Sequence, residues 1–266
     1  MFLGCCNSEG GADAVVVDTL VPSAALYEKS NAGVQKRPLH TYPNGSWYTG
    51  EWIGDKRHGH GLQVWPDGAR YEGQWHNDKA QGVGRFEHTD GDVYDGDWHN
   101  DKAHGKGTYA HASGSRYQGD WRDDKQHGHG EETWPDGAKY MGDYSEGLKS
   151  GQGHFAWADG SSYRGEFRDN DIHGAGKYSW DDQRVYEGQW DKNRMQGVGK
   201  FRWEDGRLYE GGYVNDQKEG QGKFSWPDGR AYDGQWMGGK QHGKGVFTNQ
   251  KGEEKHGEWD CGKRIS

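Results

Sequence analysis

Aliphatic residues are scarce in this chain: 266 residues contain three isoleucines and seven leucines, and hydrophobic types make up only 30%. A thick Leu/Ile/Val core of the ordinary globular kind is therefore excluded. Long apolar runs are missing too. Stretches such as Ala14-Val15-Val16-Val17 fall far short of the roughly 20 residues a bilayer-spanning helix needs. The three cysteines, Cys5, Cys6 and Cys261, are odd in number and form no disulfide framework. Met1–Glu9 lacks the basic start and apolar stretch of a secretory leader, so the expected compartment is intracellular and reducing. An excess of basic charge is also absent. Net charge is −9, with −8 carried by residues 71–162 and −1 by residues 163–254. No basic stripe appears, which argues against nucleic acid as a partner and against electrostatic docking of the array to anionic lipid.

Glycine and aromatic residues fill the gap, with 47 glycines and aromatics at 14%. They recur in a 23-residue phrase repeated nine times without insertion or deletion between Tyr48 and Glu254. Its first position is Tyr48, Tyr71, Tyr94, Tyr117, Tyr140, Tyr163, Tyr186, Tyr209 and Tyr232. The third is always Gly, the fifth always aromatic, and the twelfth and fourteenth always Gly. Positions 16 and 18 are mostly aromatic, and an Asp-Gly usually closes the unit, as at Pro66-Asp67-Gly68. Alternation at 1, 3, 5 and at 14, 16, 18 is the period of β-strands, so each unit reads as a hairpin. Asp-Gly is a turn signal because glycine accepts a positive φ. Glycines at positions 3 and 14 are expected to leave room for aromatic rings to lie across the backbone.

Strict spacing of this kind belongs to arrays in which each unit packs on its neighbours. The expected fold is all-β: an elongated, twisted single-layer antiparallel sheet of nine hairpins with half-repeat caps. Tyr42-Pro43-Asn44-Gly45 and Lys255-His256-Gly257-Glu258-Trp259 supply the caps. The domain reading is 1–39 as an anchor and linker segment, 40–262 as the array with full repeats over 48–254, and 263–266 as a tail. Within the linker, 14–20 suits a short strand and 23–30 a short helix.

Phrases such as Tyr71-Glu72-Gly73-Gln74-Trp75 and His104-Gly105-Lys106-Gly107 resemble the MORN (membrane occupation and recognition nexus) repeat. The resemblance covers about four-fifths of the chain. Members of that family include junctophilins, plant phosphoinositide kinases, radial spoke head proteins and cortical scaffolds of protozoan parasites. The resemblance implies a sheet that binds proteins, and sometimes lipids, near membranes or cytoskeleton. It does not identify the partner.

Few residues remain for chemistry. Positions 1, 5, 16 and 18 absorb 31 of the 36 aromatics, so most rings are scaffold. A single sheet has no second layer to cover its aromatic face completely. Part of that face, Phe155, Trp157, Tyr178, Trp180, Phe201, Trp203, Phe224 and Trp226, is the candidate groove for an extended or helical partner segment. Five histidines share position 11 (His58, His104, His127, His173 and His242), and His58/His60 and His127/His129 form close pairs. Rows two strands apart lie about 9–10 Å from each other, too far for one zinc ion, so no metal and no cofactor are expected. Asp123-Asp124, Glu131-Glu132 and Asp181-Asp182 read as solvated turn or edge charges, with no nucleophile beside them. Gly-x-Gly precedes a strand rather than a helix, which removes the phosphate-cradle reading.

Outside the array, Cys5 and Cys6 sit together near the N-terminus and suit S-acylation, whereas Phe2 stands where N-myristoylation requires glycine. The expectation is a non-enzymatic scaffold held at the cytoplasmic face of a membrane or at the cortical cytoskeleton, with protein partners. A homodimer is compatible with it. Two rivals are an axonemal structural subunit without lipid and a regulatory module for a lipid-modifying enzyme.

Overall fold

The computed structural model describes residues 33–266; Cys5, Cys6 and the strand and helix expected within 14–30 lie outside them. The described residues hold twenty-one strands of one antiparallel sheet and no helix, as the two-residue periodicity requires. After a first strand β1, Gln35–Thr41, seven-residue and nine-residue strands alternate: β2 is Trp47–Ile53, β3 Lys56–Val64, β4 Arg70–His76 and β5 Lys79–Glu87. The chain divides into two compact units, one ending at Gly128 and one beginning at His129. In the first, β1 to β5 each pair antiparallel with the next. The second follows the same plan from Lys139–Ser145 to Lys263–Arg264. Pairing starts at Gln35, ahead of His40, and reaches Arg264, past Gly262.

Two turn types alternate with the strands. The tight one lies inside each repeat, at positions 7 and 8, and in every repeat after the first both residues have positive φ: Asn77 at 50° and Asp78 at 71°, Asp123 at 47° and Asp124 at 66°. That is the I′ pattern, whose twist matches paired strands, and Asn, Asp and Gly tolerate it best. The Asp-Gly turn between repeats is looser. Gly68 N–H donates to Trp65 O at 3.0 Å, Trp65 N–H donates to Ala69 O at 2.9 Å, and Asp67 Oδ1 accepts from Ala69 N–H at 3.0 Å. Here only the glycine takes positive φ, 97° at Gly68. Gln183, which replaces that glycine in one repeat, adopts the same conformation at 67°, so the turn survives the substitution.

Each long strand carries a bulge opposite position 4. Between β2 and β3 the register shifts after Gly50, and Gly59 turns to φ 62°. Glu51 then accepts the hydrogen bond of His60 N–H at 2.9 Å. Gln74, Asp97, Asp143, Glu166, Gln189 and Gln235 serve the equivalent amide in their own repeats. An acid or amide at position 4 is thus a backbone ligand, satisfying an N–H that the bulge removes from the ladder.

A second set of bonds ties successive repeats together. Asp124, at turn position 8, donates its N–H to Ala103 O at 3.0 Å and accepts from Ala103 N–H through Oδ1 at 2.8 Å. Asp78, Asp101, Asn170, Asn193 and Asp216 make the same two-bond clip to the preceding repeat. Asp123-Asp124 is therefore not simply a solvated pair: Asp124 is half-buried in a clip, and burial raises its carboxyl above the usual range against the Ala103 hydrogen bond.

A raised folded pKa means the carboxyl stabilises fully only below its ordinary value of 3.8, and that contribution is lost as pH rises through the folded value. Asp124→Asn keeps the clip without the buried charge, as Asn170 and Asn193 already do. It should match or exceed the wild type in thermal denaturation at pH 7, with the gap closing as the pH falls through the carboxylate range. Asp124→Ala, which orphans Ala103 N–H, should cost about 1–3 kcal/mol at either pH.

Candidate partner-binding site

Aromatic rings fall into two rows on one face, distinguished by what each ring touches. The inner row is built from positions 1 and 5. Tyr94 lies edge-to-face between Trp98, 5.1 Å away, and Trp121, 5.2 Å away, and is fully buried. The pattern runs from Tyr48–Trp52 up to Trp121 in the first unit and from Tyr140–Tyr144 to Tyr232–Trp259 in the second. Position 14 must be glycine beneath it, because a Cβ on Gly107 would occupy the Tyr94 ring. Tyr94 hydroxyl donates to Asp97 O at 2.8 Å, and Trp98 Nε1 donates to Gly84 O of the preceding repeat at 2.9 Å. Trp75, Trp121, Trp190 and Trp236 donate in the same way. This row covers itself.

The outer row comes from positions 16 and 18, and all eight candidate residues stand in it consecutively. Phe155 stacks on Trp157 at 4.5 Å, Trp157 contacts Tyr178 at 5.1 Å, and Tyr178 contacts Trp180 at 4.5 Å. The contacts continue through Phe201, Trp203, Phe224 and Trp226 at 4.4–5.4 Å. Trp134 and Phe247, which occupy the same repeat positions, extend the row at its two ends. Phe201 and Phe224 are buried, while the four tryptophans, Phe155 and Tyr178 are half-buried. Arg184, Arg207 and Arg230 lie over Trp180, Trp203 and Trp226 at 5.2–5.4 Å, each held by its own turn aspartate at 2.7–2.8 Å. Among the described residues, the indole N–H groups of Trp157, Trp180, Trp203 and Trp226 make no hydrogen bond within the chain and remain open to solvent, whereas the one buried indole N–H without a partner is that of Trp52, in the inner row.

In the first unit the outer row is broken, because His88 and His111 replace tryptophan and Gln63 replaces the ring at position 16. Asp92 is buried there. It accepts from Tyr109 hydroxyl and from Ala112 N–H at 2.9 Å, with His111 Nε2 at 3.5 Å. Burial acts to raise its carboxyl, but the Tyr109 and Ala112 hydrogen bonds and the two imidazoles bring it below the usual range. Asp92 thereby engages Tyr109, Ala112 and His111, while the buried Nε2 of His88 has no hydrogen-bond partner.

Position 10 escaped the sequence reading. Arg57 lies 4.1 Å over Trp75, and Lys149 lies among Trp134, Tyr140 and Tyr144 while pairing with Glu132 at 2.8 Å. Glu132 also accepts from Tyr144 hydroxyl, so it is a buried-side ligand rather than an edge charge. Lys218 sits among four rings with no such carboxylate. The position-11 histidines do not converge. His58 packs against His76 at 4.9 Å and is pushed down by burial and then by His76, while His173 and His242 face Asp191 and Asp260. Among the described residues no three His, Cys, Asp or Glu side chains come together as a metal site.

Nine consecutive matches to the model of the MORN repeat cover residues 48–70, 71–93, 94–116, 117–139, 140–162, 163–183, 186–206, 209–229 and 232–254. No curated protein matches the chain. Among solved structures, the G-box domain of the microcephaly protein CPAP is 16% identical over 76% of this chain and 100% of that one, with a TM-score of 0.31. The TCP domain of Drosophila melanogaster SAS-4, solved in complex with a proline-rich motif of Ana2, is 14% identical over 82% and 97%, with a TM-score of 0.28. Likenesses at this level carry neither fold nor function.

Because the inner row bears the packing and the outer row is half-open, the two should respond differently to truncation. Trp98→Ala removes a buried ring and an inter-repeat hydrogen bond, and is expected to cost about 3–5 kcal/mol in chemical denaturation. Trp157→Ala should cost about 1–2 kcal/mol. Equal losses at the two positions would show that the rows are not distinct.

Proposed function

The chain belongs to the MORN-repeat family, and from that premise we propose that it is a non-enzymatic scaffold whose outer aromatic row receives a segment of a protein partner. The observation that carries the reading is the row Phe155–Trp226, an unbroken run of buried and half-buried rings whose four indole N–H groups make no hydrogen bond within the described residues. An indole is a large apolar surface with one polar handle, the combination enriched where proteins meet. A partner segment laid along the row would cover the rings and offer carbonyl oxygens to the indoles. An edge-pairing mode along the row is less suited, since the strands that carry it are paired on both sides by their neighbours.

We further propose that S-acylation of Cys5 and Cys6 holds the scaffold at the cytoplasmic face of a membrane or at the cortical cytoskeleton. Supporting this are the paired thiols and an acidic array that offers no attraction of its own to anionic lipid. Two acyl chains anchor stably where one is marginal.

Both parts are testable in cells. Replacing Cys5 and Cys6 together with Ser should move the protein to the soluble fraction, because Phe2 and Leu3 supply at most roughly 3–6 kcal/mol of burial against the ordering of a terminus. Trp180→Ala with Trp203→Ala should leave fractionation unchanged but strip the wild-type set of neighbours from proximity labelling. A double cysteine variant that stays with membranes would contradict the anchor and leave recruitment through the outer row as the better account. An unchanged neighbour set in the tryptophan variant would contradict the docking surface.

A further inference from the structure

Lys218 occupies position 10 of its repeat, with its Nζ 4.9 Å from the Phe224 and Trp236 ring centres, 5.0 Å from Trp203 and 5.3 Å from Tyr209. Among the described residues, no carboxylate pairs with it and its ammonium makes no hydrogen bond. The contrast with Lys149 is informative, since both stand at the same repeat position within a nest of rings. Lys149 finds Glu132, at position 16 of the preceding repeat, 2.8 Å away. The corresponding neighbour of Lys218 is Phe201. Ring faces attract a cation but accept no ordinary hydrogen bond, so the half-buried ammonium loses part of its hydration without a replacement partner.

We propose that Lys218 is a modification site: an amine that reacts with acyl thioesters to give a neutral amide inside the aromatic nest. The amine lone pair attacks the thioester carbonyl carbon, the N–C bond forms as the C–S bond breaks, and the thiolate leaves. The proton lost from nitrogen goes to that thiolate or to water. Acylation removes the one charge the nest cannot neutralise and also ends the repulsion from Arg207. An anionic adduct would face four ring faces and gain nothing from them, which is why the acyl class is favoured.

Protonation works in the same direction. Burial, and then the Arg207 guanidinium, bring the Lys218 ammonium down to about 8. Arg207 is the charged group acting on it, and the Tyr209 phenol belongs to the nest itself, with its own ionisation pushed upward by burial. At pH 7.5 a group with that value is neutral in roughly one molecule in four, against about one in a thousand for an ordinary lysine. Lower basicity reduces intrinsic nucleophilicity, so the expected net advantage is about ten-fold or more rather than the full population ratio.

The test uses the full-length chain incubated with acetyl-CoA as the thioester, with acetylation at each lysine quantified by peptide mass spectrometry from pH 6.5 to 9.5. Lys218 should be acetylated at least ten-fold faster at pH 7.5 than exposed Lys223, with its own rate levelling above about pH 8. Phe201→Glu, which supplies the carboxylate that Lys149 enjoys, should lower the Lys218 rate to that of Lys223 or below. If that variant does not fold, Lys149 in the wild-type chain makes the same comparison and should trail Lys218 at least ten-fold. Acetylation of Lys218 no faster than Lys223, or equal rates at Lys149 and Lys218, would overturn the assignment.

Discussion

A tyrosine ring lying across two facing glycines is the contact on which the rest of the structure depends. Gly96 and Gly107 pair across neighbouring strands, and a Cβ on either would meet the partner backbone or the Tyr94 ring. With both side chains removed, the ring sinks to the backbone, donates its hydroxyl to Asp97 O, and stands between Trp98 and Trp121. Burial is thereby achieved without a second layer, because each ring is covered by rings before and after it. This explains how a chain so poor in aliphatic residues holds a sheet, and why the glycines cannot be traded for alanine.

Much of this was legible from spacing alone. Period-two alternation and a fixed 23-residue interval led to the all-β hairpin array, and glycines at positions 3 and 14 led to rings crossing the backbone. The parts that were not legible share one cause: polar residues whose partner lies in a different strand. Asp124 looks like a solvated turn acid, yet it clips the repeat before it. Glu51 looks like an exposed strand residue, yet it serves the bulged amide of His60. Both types of residue recur with the repeat, so a signal existed, but their chemistry depends on register, which composition does not reveal. The candidate surface was legible as a set of positions. Sequence could not separate tryptophans whose indole is bonded inside, such as Trp98, from those whose indole is unmatched, such as Trp203.

The distinction between rows gives the functional reading its physical content. Inner rings are buried among edge contacts, and five of their tryptophans are hydrogen-bonded to the preceding repeat, so they have little left to offer a partner. Outer rings stack along their own row and touch the inner row only at position 16, as Phe155 does Tyr140 and Phe224 does Trp236, while the position-18 tryptophans keep a donor in reserve. The break of that row at His88 and His111, where Asp92 ties up the polar groups, confines the continuous surface to the second unit. Position 10 adds a local variation on the same scaffold. A cation among rings is neutralised at Lys149 by Glu132 and left alone at Lys218, and that difference follows from the residue at one position of the preceding repeat.

The most direct measurement is hydrogen exchange of the tryptophan indole N–H groups, resolved by NMR on the full chain labelled with nitrogen-15. Trp75, Trp98, Trp121, Trp190 and Trp236 donate to backbone carbonyls of the preceding repeat and should exchange at least about a hundred-fold more slowly than a free indole. Trp157, Trp180, Trp203 and Trp226 should exchange at nearly the free rate. Comparable protection in the two groups would mean that the outer row is already satisfied within the chain, and the account of it as a waiting surface would be wrong.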